Sequence, residues 1–283
     1  MTLDPGTFRV ESRASWEDAA QGWAARADAF TRDTLPVSQW IVGHVNPQPG
    51  HHVLDLAAGT GDTGLLAAEI VAPGGRVLIT DGAEAMVETA RARAAARGIE
   101  NVEIRAMEAE WIDIGAALLD SVLCRWGYML LADPEAALRE TRRVLRPGGR
   151  LALAAWDAPE ANPWLVLSGR LVVDRGLAQP PDPGAPGPFA FSAPGRIEEL
   201  LEVTGFEDID VEAIDFTFTA PDLDGWWEHM RQTSSTLRRI IPTLSPADHY
   251  ALRDGFDTVY APFVAGDGAL SIPARTLVAA ASA

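Results

Sequence analysis

Gly59, Gly61 and Gly64 interrupt the stretch HHVLDLAAGTGDTG at the spacing Gly-x-Gly-x-x-Gly, a turn that lets backbone amides at a helix start approach an adenosine-bearing cofactor closely. The glycines alone leave two cofactors open, a nicotinamide dinucleotide and S-adenosylmethionine. Asp55 discriminates between them. It stands four residues before Gly59, inside the apolar approach to the turn, where a carboxylate repels a pyrophosphate that would otherwise dock on the helix start. The same carboxylate suits a ligand with an ammonium, a sulfonium and no phosphate. Asp81 closes the next apolar run, RVLITD, 22 residues after Gly59, with Gly82 beside it. A carboxylate there can accept from both ribose hydroxyls. Glu108 and Ala109, in AMEAEW, stand where adenine's exocyclic amine and ring nitrogen could be met. Each acid also has a plainer use: Asp55 as a cap of the following helix, Asp81 as the N-cap of a helix from Glu84, and Glu108 as a solvated loop acid.

A parallel sheet is the element that could bring these residues to one edge. From Val53 to Trp156 short apolar runs (HVLDLA, GRVLITD, NVEIRA, LLDSVLCRW, GRLALAAW) alternate with Ala-rich segments of helical period, the pattern of strands joined by crossover helices. APGGRVL and RPGGRLA use one Pro-Gly-Gly device to stop a helix and launch a strand. Asp133-Pro134 and Ser245-Pro246 read as helix N-caps followed by proline at the first helical position. Proline and glycine in AQPPDPGAPGPFA, 178–190, read as an exposed connection. Pro194–Thr204 reads as a helix, FEDIDVEAIDFTFTA and GALSIPARTLVAAAS as strands, and 221–262 as a helical insertion between them.

The set Asp-x-x-x-Gly-x-Gly, the acid closing the second strand, EAE after the third and RVLRPGG before the fifth resembles class I S-adenosylmethionine-dependent methyltransferases, most nearly the ubiquinone/menaquinone-biosynthesis type. It spans roughly His51 to Trp156, with a weaker echo in WEDAAQGWAARA, where family members carry an aromatic on an N-terminal helix that closes over the cofactor. The resemblance implies that Asp55, Gly59 and Gly61 surround the methionine moiety, that Asp81 with Gly82 holds the ribose, and that Glu108 and Ala109 meet adenine. The family commonly has Asp where this chain has Glu108. The expected fold is α/β: a Rossmann-like, seven-stranded, mostly parallel sheet with helices on both faces. The expected division is an N-terminal helical lid (1–48), a cofactor-binding core (49–157), a helix and Pro-rich connection (158–205), and the last two strands with a helical substrate cap (206–283, cap 221–262).

Methyl transfer from a sulfonium is an in-line displacement, so the expected work of the protein is alignment of nucleophile, methyl and sulfur, a contribution of about 7–11 kcal/mol. A base for the acceptor's proton adds about 10²- to 10⁴-fold, and His229 in WWEHM is the candidate, with His249 further off. Trp226 and His229 are three apart and share a helix face, which suits a stacking wall beside a base; the same spacing suits two cap-core tryptophans with His229 solvated beside them. Trp126 and Tyr128 follow the fourth strand at the sheet's carboxyl edge, where α/β proteins bind ligands, and are read as substrate-side aromatics. Arg125 is grouped with the cofactor residues, with recognition of an anionic or carbonyl group on the acceptor, or a surface position, as its other uses. Trp23 is the lid aromatic. The aromatic-rich cap points to a small apolar or aromatic metabolite, with S-adenosylhomocysteine as the product.

Composition excludes competing classes. The chain has 283 residues, a net charge of -17 and a pI near 4.6, the wrong sign for a phosphate-backbone partner. It contains no lysine, which removes Schiff-base chemistry, a Walker lysine and a Tyr-x-x-x-Lys dehydrogenase pair. Cys124 is its one cysteine, so a thiolate cluster cannot form within one chain, and an inert strand-core thiol is expected. His51 and His52 flank a strand start and are not expected to bind metal. MTLDPGTFRVESR has no apolar core of a leader, and no run approaches a membrane span; a cytoplasmic protein is expected. A non-catalytic S-adenosylmethionine-binding module and a nicotinamide oxidoreductase stand as alternatives to the enzyme.

Overall fold

A computed structural model of the chain describes residues 4–180, 182 and 184–283; parts of the N-terminal lid and of the Pro-rich 178–190 connection read from the sequence lie outside them. Seven strands form one sheet in the order β3-β2-β1-β4-β5-β7-β6. They are β1 (His52–Leu56), β2 (Arg76–Asp81), β3 (Val102–Ala106), β4 (Leu119–Arg125), β5 (Leu145–Trp156), β6 (Glu207–Ala220) and β7 (Leu270–Ser282). The first five run parallel, and β7 lies antiparallel to both β5 and β6. Strand order reverses at β1, with β2 and β3 added on one side and β4 and β5 on the other, and the carboxyl ends of β1, β2 and β4 lie at this switch point, where open α/β sheets bind ligands.

The helices follow local signals. α3 (Asp62–Val71) starts after Gly61, which takes left-handed backbone at φ 82°, and α4 (Glu84–Ala96) follows β2. In α5 (Pro134–Val144), Asp133 accepts from the Ala136 amide at 2.9 Å. α6 (Pro163–Asp174) and α7 (Arg196–Val203) lie between β5 and β6. The Pro-Gly-Gly at 147–149 lies inside the span of β5 rather than ahead of it. Between β6 and β7 the chain forms α8 (Leu223–Thr233), α9 (Ser235–Ile240) and α10 (Pro246–Tyr260), the last capped by Ser245.

Before the sheet come α1 (Pro5–Asp33) and α2 (Leu35–Val45). Trp16, Ala20, Trp23, Ala27 and Phe30 fall at alternating spacings of four and three, one apolar stripe along α1. Its first half packs on Ala83 and Met86 at the start of α4, and Phe30 joins the main core. That core is continuous from the central strands to Trp226, Phe256 and Tyr260 of the β6–β7 insertion. Cys124 is buried within it, which pushes its thiol up to about 12 and leaves no reactive thiolate.

Candidate functional site

Asp55 ends its strand beneath the glycine turn, 1% exposed. Its Oδ2 accepts from the Gly64 amide at 2.6 Å, while Oδ1 has no partner among the described residues. Burial pushes its pKa up to about 7, against the lowering pull of the Gly64 bond and of Arg125. Gly64 is required by this approach: a Cβ there would sit 2.7 Å from Ile79 and 2.8 Å from the Asp55 carboxylate. Asp55 is thus a ligand of the α3 start, as its plainer reading held, with one oxygen left over.

Asp81 likewise serves the backbone. Its Oδ2 accepts from Gly59 N at 2.8 Å and its Oδ1 from Ala83 N at 2.9 Å, tying the turn to the start of α4. Burial raises its pKa as well. A carboxylate has about four lone-pair sites, so two acceptor positions remain. Gly82 lies against Glu108, whose carboxylate would be 3.6 Å from a Cβ placed there, and Ala109 is buried beside it. A Cβ on Gly59 would meet nothing within 4 Å, so the turn has open space on its outer side.

α1 closes this edge with side chains that sequence reading did not single out. Arg9, Arg13 and Glu17 recur every fourth residue on one helix face. Arg9 pairs with Glu110 and lies 4.9 Å over Trp111, and Arg13 pairs with Glu108, so that acid is neither free nor simply solvated. Glu17 accepts from the amides of Glu84 and Ala85 at 2.6 and 2.9 Å, supplying the end of α4 with the negative charge its dipole favours. Trp23 touches both Trp16 and Phe30, and its Nε1 is buried without a partner.

Arg125 departs from the expectation of a ligand-binding guanidinium. Its Nη2 donates to Asp62 at 2.6 Å and its Nη1 to Thr34 and Ser38 at 2.6 and 3.1 Å. The side chain is 8% exposed, and that of Asp62 1%. Burial would push the Asp62 carboxyl up, but Arg125 and Arg93 with the Thr31 bond outweigh it and hold it below the usual range. Removing one member of such a pair leaves a buried charge uncompensated, typically about 3–5 kcal/mol.

Past β4 the sequence expectation divides. Trp126 takes left-handed backbone at φ 61°, a conformation costing about 1–3 kcal/mol outside glycine that persists only where its surroundings hold it. They do: Nε1 donates to Thr276 at 2.9 Å and the ring stacks on Trp156 at 4.2 Å. Tyr128, expected on the substrate side, turns inward, its hydroxyl 2.6 Å from that of Thr141 in α5 and its ring 1% exposed. Both rings are buried, Trp126 at 7% and Tyr128 at 1% exposure, and a 3-10 turn at Tyr128–Leu130 takes Tyr128 toward α5 rather than to the substrate side.

From Trp126 aromatic rings run without a break toward the insertion. Phe30 and Trp156 meet Trp126, Phe218 meets Phe30, Trp156 and Trp164, and Trp226 meets Phe218 with centroids 6.2 Å apart. His229 ends the series, stacked on Trp226 at 4.9 Å and 11°. It is 8% exposed, so it is not the solvated neighbour that the plainer reading expected. Its Nε2 has no partner, and burial, helped by Arg26, pushes its pKa down to about 4. The imidazole is therefore neutral at neutral pH. His249 approaches Trp227 on another side of the insertion. No group of three or more His, Cys, Asp or Glu is arranged to hold a metal among the described residues.

Residues 37–164 match the model of the ubiE/COQ5 methyltransferase family. Nocamycin O-methyltransferase of Saccharothrix syringae is 31% identical over 203 residues, 68% of this chain and 72% of that protein. The chain belongs to the class I S-adenosylmethionine-dependent methyltransferases. A ubiquinone/menaquinone biosynthesis C-methyltransferase of Ectopseudomonas mendocina is 37% identical over 120 residues, 42% of this chain and 46% of that relative. The fold is also that of the YcgJ protein of Bacillus subtilis, with a TM-score of 0.56, 21% identity and coverage of 87% and 97%.

As a methyltransferase of this class the protein is an enzyme that uses S-adenosylmethionine, which sets aside both the non-catalytic and the nicotinamide alternatives. The glycine turn, the free Asp55 oxygen and the spare acceptor positions of Asp81 fit that cofactor's ammonium and ribose. No helix is long and apolar enough to cross a membrane among the described residues.

Proposed function

We propose that the enzyme methylates a small, largely planar, apolar or aromatic metabolite held between α1 and the β6–β7 insertion, with His229 taking the acceptor's proton. The observation that carries this reading is the aromatic series from Trp126 to Trp226 ending at a buried imidazole nitrogen with no partner. In this reading Asp55, Gly59 and Gly61 hold the methionine end of the cofactor, Asp81 with Gly82 the ribose, and Glu108 with Ala109 the adenine. The cofactor supplies an electrophilic methyl on a positively charged sulfur. Desolvated indole faces near Trp126 would stabilise such a charge by about 0.5–2 kcal/mol.

His229 Nε2 would take the proton of an acceptor hydroxyl or enol, leaving its oxygen or the conjugated carbon to receive the methyl that the cofactor held at the glycine turn would supply, with S-adenosylhomocysteine as the product. A neutral ring can accept a proton, but a pKa near 4 makes it a weak base, so an acidic acceptor such as an enol suits it better than an amine. The resulting anion beside the ring would favour the imidazolium. The names of the relatives include both an O- and a C-methyltransferase, and either outcome is compatible with this proton transfer.

The test is methylation of a panel of aromatic and enolic metabolites by wild type, Trp226→Ala and His229→Ala. Both variants should keep S-adenosylhomocysteine affinity within about threefold while turnover falls, by about 10²-fold or more for His229→Ala. Full activity of His229→Ala at every pH would remove it as the base.

A further inference from the structure

Asp62, the residue directly after the glycine turn, is assigned no part by the cofactor reading or by the acceptor reading, yet side chains from α1, α4 and the end of β4 meet at its carboxylate. Oδ1 accepts from Thr31 at the end of α1, at 2.5 Å, and from Arg93 of α4. Oδ2 accepts from Arg125 at the end of β4. Arg93 also donates to the Thr60 carbonyl inside the turn at 3.0 Å and to Thr31 at 3.0 Å. Through Arg125 the same node reaches Thr34 and Ser38 at the start of α2. The Arg125 guanidinium lies 5.3 Å from the Phe30 ring centre and 4.9 Å from that of Trp126, the two rings that begin the aromatic series.

We propose that Asp62 and Arg125 form a positioning unit that fixes the aromatic wall of the acceptor pocket relative to the cofactor turn. The inference rests on the acceptor reading above for its consequence in turnover, but its geometric content stands apart. One buried carboxylate holds the turn on one side and, through one guanidinium, both Phe30 and Trp126 on the other. In-line displacement depends on the separation and angle between methyl donor and acceptor, and a misplacement of about 1 Å can cost about 10²-fold. Both side chains are buried and bonded to protein partners, and the proposed action is through the rings and the turn that they hold.

This assignment separates two quantities that a general loss of structure would move together. The glycine turn is also anchored by Asp55 and Asp81, so cofactor affinity should survive loss of the node. The Phe30–Ser38 corner is tied to the turn through the Asp62–Arg125 pair and, at Thr31, through Arg93, which also holds the Thr60 carbonyl, so its response to a bound cofactor should be weakened.

The probe is S-adenosylhomocysteine, with amide hydrogen exchange read across the chain, which needs no known acceptor. In wild type, saturation should slow exchange both at 57–64 and at 30–38. In Asp62→Asn and Arg125→Gln, protection at 57–64 should persist, affinity should stay within about threefold, and the change at 30–38 should shrink, most at 34–38, where Arg125 holds Thr34 and Ser38. Since either variant leaves a buried charge and could fold poorly, Thr34→Val and Ser38→Ala, which keep the ion pair, provide the second measurement; each should reduce the protection at 30–38. With an acceptor in hand, kcat should fall about 10- to 100-fold with little change in KM for the cofactor, and the double variant Asp62→Asn/Arg125→Gln should be no worse than the poorer single one. Undiminished coupling at 30–38 in all four single variants, or a loss of S-adenosylhomocysteine affinity equal to the loss of protection, would overturn the assignment. Normal coupling in wild type together with failure of every acceptor on the panel would count against the acceptor reading and leave the positioning unit supported.

Discussion

At the scale of single residues the site is built from carboxylates that each do two things. Asp81 spans Gly59 and the start of α4 while offering further lone pairs. Asp81→Ala should weaken S-adenosylhomocysteine binding by about 2–4 kcal/mol, since charge-assisted bonds of about 1.5–3 kcal/mol each are lost. Asp81→Asn, which keeps an acceptor for one amide, should recover part of the thermal stability and less of the affinity. Calorimetric titration of the three proteins checks this. Asp55 adds a pH dependence. Its pKa in the folded protein is raised to about 7 from 3.8, so the folded protein holds a proton there that the unfolded chain has released, and folding stability from this group falls as pH rises between those values. A cationic ligand end binds the ionised form better, so affinity for S-adenosylhomocysteine should rise as pH increases through about 7 and level off once Asp55 is fully ionised. In Asp55→Asn the dependence should be flat over that range; an equally steep dependence in the variant would assign it to another group.

At the scale of elements α1 is the one that spans the sheet edge and the insertion. Its polar face grips the loops after β3 and the start of α4, and its other side meets α8 so closely that a Cβ on Gly22 would lie 2.2 Å from the Gln232 carbonyl oxygen. Alanine in a helix interior normally stabilises by about 1 kcal/mol over glycine. Here the contact with rigid helix backbone dominates. Gly22→Ala should destabilise by about 1–3 kcal/mol and lift α1 from α8, weakening acceptor use more than cofactor binding, as chemical denaturation and steady-state kinetics would register. A stabilised Gly22→Ala would mean that α1 does not seat on α8 in this way.

At the scale of the whole molecule the acidic chain binds a cationic cofactor across the edge of one continuous core. Ligand bound to the native state stabilises it by mass action, about 2.7 kcal/mol at one hundred times Kd, or roughly 5–10 °C in Tm for a chain of this size. S-adenosylhomocysteine should give that shift. NAD at the same concentration should give none, because its pyrophosphate meets Asp55 at the strand end; a comparable shift with NAD would contradict the charge argument on which the cofactor choice began.

The alternation of apolar runs and helical segments determined the sheet and the order of its strands' appearance, because side-chain period and turn residues are local properties. The glycine turn and the placement of Asp55 and Asp81 on the strands beside it were legible from spacing, whereas the bond from Gly59 to Asp81, 22 residues apart, came from the pairing of β1 with β2. Other features needed the tertiary structure. Tyr128 and Trp126 share a sequence position at the sheet edge, but one packs against α5 while the other is held by Thr276 and Trp156 in the core. Arg125 reads as a free cation until Asp62, Thr34 and Ser38 are brought to it from 63 to 91 residues away. His229 reads as solvated or as a base according to what lies over its helix face, and the folded chain buries it, stacked on Trp226 and near Arg26 of α1. Periodicity and spacing carry no information about which distant charges and rings meet, since that is set by how the elements pack against one another.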